Sequence, residues 1–138
     1  VFFSSNTKGI VKTLSPFLHE IEGFSEQDWG QQSLNLAVTD NDEDFALFEY
    51  EKPFVYYGHL FCANRTGKEA ILFGKEALSF LFNNSDAKAV YGLSPYEKRH
   101  VRLMMRKIGL KSYGFVNTEK GLMENFIITE QEWRTMNE

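Results

Sequence analysis

Between Phe61 and Ala70 the chain reads Phe-Cys-Ala-Asn-Arg-Thr-Gly-Lys-Glu-Ala, residue types and a spacing that could hold phosphate. Thr66 followed three positions later by Glu69 is the pattern of a capping box, which marks a helix start. The first turn of a helix presents N–H groups with no intrahelical partner, and the helix dipole favours negative charge there. Gly67 allows close approach of a ligand to the backbone, while Arg65 and Lys68 bring cations suited to a pyrophosphate. The expected contacts are Phe61, Cys62, Ala63, Arg65, Thr66, Gly67, Lys68, Glu69 and Ala70. The same segment also reads as an ordinary capped helix after a strand, with Glu69 offsetting part of the positive potential. A Walker loop is excluded, because Lys68 is followed by Glu69 and not by Ser or Thr.

Holding such a loop requires a strand that ends near Cys62 and a helix that opens at Thr66, and the surrounding patterns provide both. At 138 residues and 43% hydrophobic content the chain is long enough to bury a core, and no linker or repeat divides it, so positions 1–138 read as one domain. Strands are expected over Val1–Ser5, Ser33–Thr39, Asp44–Tyr50 and Phe54–Cys62, the last so continuously apolar that it reads as central and buried on both faces. Ser15-Pro16 and Ser25–Asp28 open short helices. From Thr66 to Phe82 a stripe of Ala70, Gly74, Ala77, Leu78 and Leu81 defines an amphipathic helix. A short strand follows within Ala87–Leu93. Ser94-Pro95-Tyr96-Glu97 reads as a second capping box, whose helix ends in Arg106-Lys107 and stops at Gly109. Lys111–Asn117 and Leu122–Thr129 form a closing hairpin. The class is mixed α/β: a twisted, mostly antiparallel sheet of six to seven strands with about four helices.

Composition removes several functions. A net charge of −4 with interspersed signs argues against duplex nucleic acid as a partner. The single Cys62 allows no internal disulfide and no cysteine-ligated metal, so no metal is expected, and it fits a reducing, cytoplasmic setting. No apolar run approaches the roughly 20 residues of a membrane span.

The order of elements, together with Arg65-Thr66-Gly67-Lys68-Glu69-Ala70 and Lys107-Ile108-Gly109-Leu110, resembles the GNAT superfamily of acyl-CoA-dependent N-acyltransferases over nearly the whole chain, most clearly from Tyr56 to Thr129. The first run is similar to the family's pyrophosphate loop and the second to its Lys-Leu-Gly-Phe helix ending. The closing hairpin and the tail Thr129-Glu130-Gln131-Glu132-Trp133 are similar to those of many members, and the pair Gly58-His59 is similar to that of members carried by bacterial viruses. The chain departs from the pattern in three places. Asn64 stands where the loop's basic or amide residue is usual. Lys98 and Val101 replace the family's Asn and Ala. Met105 falls where a tyrosine often protonates the leaving thiolate.

The resemblance implies acetyl-CoA as co-substrate and an amine acceptor: a protein lysine, an N-terminus or a small amine. Such a reaction requires a base, a polarised carbonyl and an exit for the thiolate. His59 is the first candidate for the base, against an ordinary core histidine; Glu49 and Glu51 are the alternatives. A backbone N–H near Cys62, where the fourth and fifth strands splay, would polarise the carbonyl, while Cys62 itself reads better as a small buried hydrophobe. Ser94, Tyr96 and Tyr113 are candidate donors to the thiolate. Ser94, Lys98 and Arg99, with His100 and Arg102, could meet the coenzyme. A scaffold that kept the fold without catalysis, such as a virion or assembly component, is the rival reading. The chain is expected to act as a monomer or homodimer, with Phe2, Phe3 or Phe126 as a dimer seam.

Overall fold

A computed structural model describes residues 2–3, 35–39, 44–62 and 66–137. Seven strands form one sheet: β1 (Phe2–Phe3), β2 (Leu36–Thr39), β3 (Phe45–Lys52), β4 (Val55–Phe61), β5 (Ala89–Pro95), β6 (Lys111–Thr118) and β7 (Gly121–Thr129). Their spatial order is β1-β2-β3-β4-β5-β7-β6. Only the β4–β5 pair is parallel; the other five pairings are antiparallel. Three helices lie among the described residues: α1 (Gly67–Asn84), α2 (Arg99–Ile108) and α3 (Glu130–Met136). The helices expected from Ser15-Pro16 and Ser25–Asp28 lie outside the described residues.

The stripe read from the sequence is the face that α1 buries. Ala70, Phe73, Gly74, Ala77, Leu78, Leu81 and Phe82 turn inward and meet Val38, Phe48, Val90, Phe126 and Ile128 of the sheet. Each of the larger side chains contributes about 1.5–3 kcal/mol by leaving water. A methyl group on Gly74 would come within 2.5 Å of Ile108 Cδ1, so glycine at this position sets how closely α1 and α2 approach.

The boundaries differ from expectation in four places, each for a physical reason. β4 is central in the order, but of Val55–Leu60 only Tyr56 is fully buried, because β4 loses its neighbour halfway along. Phe54 is not in the strand: it occupies a turn at φ 70 and is 49% exposed. The second capping box does not form. β5 continues through Pro95, Lys98 is the N-cap of α2 and its side chain makes no capping bond, and Ser94 is buried in the strand. The tail forms a helix of its own, α3. There Thr129 accepts from the Glu132 N–H at 3.1 Å while the Glu132 carboxylate accepts from the Thr129 N–H at 3.1 Å, a complete capping box. Phe126 has no exposed surface, so it marks no dimer seam, and Phe3 packs edge-on against Phe80 at 4.7 Å.

Candidate active site

β4 and β5 pair over three positions, Val55↔Ala89, Tyr56↔Val90 and Tyr57↔Tyr91, and then separate. Beyond Tyr57 and Tyr91 the facing backbone groups of the two strands have no ladder partner, which is costly unless water or a ligand fills the gap. A cleft opens at this divergence, with Gly58, His59 and Leu60 on one side, Tyr91 and Gly92 on the other, and Met105 of α2 above. The glycines keep it narrow: a Cβ on Gly92 would already lie 3.5 Å from the Gly58 carbonyl oxygen. Its mainly apolar walls with unpaired backbone along one seam suit the acyl and pantetheine arm of a coenzyme.

The helix start expected at Thr66 is present. Thr66 is the extended N-cap of α1, and Gly67 follows at φ +56, a left-handed conformation that favours glycine. The capping box does not form: the Thr66 hydroxyl makes no capping bond, and Glu69 is exposed. No capping bond from Thr66 therefore occupies the first-turn N–H groups. A Cβ on Gly67 would meet nothing within 4 Å, so there is room beside the backbone. Lys68 is exposed and Ala70 is buried against the sheet. Phe61 ends β4, and Cys62, half-buried, packs against the core. Ala63, Asn64 and Arg65 lie outside the described residues. Lys98 and Arg99 stand at the start of α2. Ser94 is 1% exposed, with its hydroxyl unbonded among the described residues.

His59 and Glu49 are neighbours, although the sequence separates them by a turn. The register places Glu49 opposite Tyr57 and Leu47 opposite His59 on one face of the sheet. His59 Nε2 and Glu49 Oε1 are 3.6 Å apart, with the two side chains 11% and 24% exposed. The Tyr57 ring meets His59 edge-on at 4.5 Å and Tyr91 at 4.7 Å. Burial pushes the Tyr91 phenol above the usual tyrosine range, reinforced by the nearby Glu51 carboxylate. Tyr57 and Tyr91 were not among the sequence candidates. The sign available was their alternation with His59 and Leu93, but which tyrosines face each other depends on a parallel register that local pattern does not carry.

Met105 lies in the cleft wall. Its thioether has no proton to give. Behind it, Arg102 and Arg106 of α2 converge on Glu124 of β7, which has no exposed surface. Arg102 Nη1 donates to Oε1 at 3.3 Å, Arg106 Nη2 to Oε2, and Ser112 Oγ to Oε2 at 2.6 Å. This network fixes α2 against β6 and β7, and with it the position of Met105.

A parallel pair that parts midway, a glycine-led helix start after its first strand and a closing antiparallel hairpin together make up the fold of the GNAT N-acetyltransferases. Solved structures agree. The chain superposes on a variant of spermidine N-acetyltransferase SpeG from Vibrio cholerae with a TM-score of 0.76 and 10% identity, covering 99% of this chain and 98% of that one. It superposes on aminoglycoside acetyltransferase AAC(6')-Ib with coenzyme A and kanamycin at 0.65 and 16% identity, covering 96% and 94%. The same enzyme with paromomycin and acetyl-CoA gives 0.66 at 16% identity, covering 96% and 93%. No protein-family model matches the sequence, and no curated protein matches it. No helix among the described residues is long and apolar enough to cross a membrane.

Proposed function

We propose that this protein binds acetyl-CoA in the cleft between β4 and β5 and transfers the acetyl group to a primary amine. The observation that carries this reading is the three-pair parallel ladder that ends at Tyr57 and Tyr91, with His59 in the wall of the opening. Its structural neighbours support it: an aminoglycoside acetyltransferase with coenzyme A or acetyl-CoA bound, and an enzyme named for spermidine acetylation.

The residues divide the work as follows. The N-terminus of α1, with Gly67, Lys68 and Arg65, holds the pyrophosphate. The cleft holds the arm, and acetyl-CoA brings a thioester whose carbonyl is the electrophile. An alkylamine has a pKa near about 10.4 and arrives protonated at neutral pH. His59 accepts its proton, and the Glu49 carboxylate compensates the charge that His59 gains. The nitrogen lone pair then forms the new C–N bond while the C–S bond breaks, and the nitrogen releases its second proton to water to leave the neutral amide. β4 N–H groups beyond Tyr57 face the carbonyl oxygen as negative charge develops there. Cys62 forms no covalent bond in this scheme. The thiolate, whose conjugate acid has a pKa of about 8.5, leaves without an acid from Met105 and takes its proton from water.

The deciding experiment is thermal unfolding with and without acetyl-CoA, repeated on a variant carrying Arg65→Ala and Gly67→Glu. Saturation to about 100 times Kd adds roughly 2.7 kcal/mol to the native state. The expected result is a rise in Tm for the parent that the variant loses, together with release of free thiol when an amine is added. No rise in the parent sinks the proposal. Met105 favours a second reading, in which the scaffold binds the coenzyme without turnover. A Tm rise with no thiol release from any amine would select it.

A further inference from the structure

The face of the sheet that bears His59 also carries Tyr57 and Tyr91, which the proton transfer does not use, beside Glu49, which it does. In β3 the pairing with β4 passes from Tyr50↔Tyr56 to Lys52↔Val55, leaving Glu51 as the extra residue of a bulge. Bulges of this kind re-aim side chains beside functional sites. Here Glu51, Glu49 and Tyr57 all lie within electrostatic range of the Tyr91 phenol on β5. Tyr57 stacks edge-on to both Tyr91 and His59. Two carboxylates and two phenol rings thus converge at the mouth of the cleft, where His59 and Tyr91 already form the wall.

Two further observations indicate what this group would take. Neither Glu49 nor Glu51 is salt-bridged to a lysine or arginine among the described residues; Glu49 has only His59 at 3.6 Å. In addition, the side-chain oxygen of Asn125, opposite Leu93 and so on the same face two positions beyond Tyr91, is buried without a donor among the described residues. The group offers carboxylate oxygens, a carbonyl oxygen and π faces, which is the chemistry of ammonium recognition.

We propose that Glu49, Glu51, Tyr57 and Tyr91 form a subsite for a second positive charge on the acceptor, so that the protein prefers a small amine with at least two ammonium groups. This rests on the acetyl-transfer reading for the identity of the reacting amine. Tyr57 precedes His59 by two positions on β4, a spacing of about 7 Å along the strand. A four-carbon diamine can therefore place one nitrogen at His59 and the other against Tyr57 and Glu49, and longer polyamines can extend to Glu51.

Calorimetric titration of the full chain with putrescine and with butylamine, at fixed pH and ionic strength, tests the subsite without requiring turnover. Putrescine is expected to bind about ten-fold more tightly or better, given the two carboxylates and two rings available to its second charge. Glu51→Gln and Tyr91→Phe, each close in shape to the parent side chain, are expected to bring the ratio near one. Equal binding of the two amines by the parent overturns the subsite, as does a putrescine preference that survives both substitutions. The acetyl-transfer reading fails separately, through the acetyl-CoA unfolding test. If it fails while the diamine preference holds, the subsite stands as a cation site on a scaffold that does not acetylate.

Discussion

The two seams of β5 are built in opposite ways. Toward β4 it makes three parallel pairs and departs; toward β7 it keeps seven antiparallel pairs, from Ala89↔Thr129 to Pro95↔Met123. The open seam has glycine on both sides, at Gly58 and Gly92, and leaves backbone groups without a ladder partner. Alongside the closed seam, on β7, Glu124 is fully buried and held by Arg102, Arg106 and Ser112. A strand can expose one edge to a ligand only if its other edge holds it in place. The ion-pair network thus supports the open seam although it touches no part of the cleft.

The largest expected effect comes from breaking the closed seam. Glu124→Ala removes the shared carboxylate and strands Arg102, whose side chain is only 15% exposed. Removing one partner from a buried ion pair costs about 3–5 kcal/mol. Because Arg106 is 43% exposed and can turn to solvent, the lower end of that range is expected in urea unfolding. A loss below about 1 kcal/mol would mean that the ladder alone holds β5, and the contrast between the seams would then reduce to a count of hydrogen bonds.

The closed seam was only partly legible in the sequence. Leu122–Thr129 shows as a strand, and Glu124 falls in phase with Phe126 and Ile128, so period two alone puts a carboxylate in the core. Its partners were unreadable, because Arg102 and Arg106 are one helical turn apart on a helix whose docking depends on tertiary packing. The open seam was legible at the level of Gly67 and His59, whose types are suggestive wherever they stand. The bulge at Glu51 and the Tyr57–Tyr91 contact were not, since both arise from register between strands distant in sequence. The two capping boxes beside the cleft failed for a related reason. Thr66 precedes a glycine in a left-handed conformation, and Ser94 is held in β5 by its ladder to β7. The box at Thr129 and Glu132 does form where the chain leaves the end of β7.

Filling the open seam should abolish binding and leave the fold intact. A Cβ at Gly92 would stand at ordinary contact distance, 3.5 Å from the Gly58 oxygen and 3.9 Å from Met105 Cε. Gly92→Val therefore fits a strand that favours β-branched residues, and its two methyl groups project into the cleft. Stability is expected to change by less than about 1 kcal/mol, while the roughly 2.7 kcal/mol of acetyl-CoA stabilisation disappears. If the variant still shows the full Tm rise, the coenzyme lies elsewhere. Should it instead lose as much stability as Glu124→Ala, the two seams do not differ in rigidity as described.

The smallest effect concerns the last stretch where β4 and β5 still pair. Tyr56 stands opposite Val90, and its hydroxyl donates to Asp86 Oδ1 at 2.9 Å just beyond the end of α1. Burial, then the hydrogen bond to Asp86, push its pKa up to about 12. Because the folded value lies above the unfolded value of about 10, the neutral phenol's contribution is complete below that pH and is lost as pH rises toward about 12. Tyr91 is raised in the same direction, so both tyrosines that flank the point of divergence favour the native state only while neutral. Tyr56→Phe removes one hydrogen bond, at a cost of about 1 kcal/mol near neutral pH. It should also flatten the decline in stability above pH about 10 relative to the parent, because one of the titrating groups is gone. Urea unfolding at a neutral and an alkaline pH measures both quantities. Parallel declines for parent and variant would show that Tyr56 does not couple the start of the divergence to pH, and would leave Tyr91 as the group responsible.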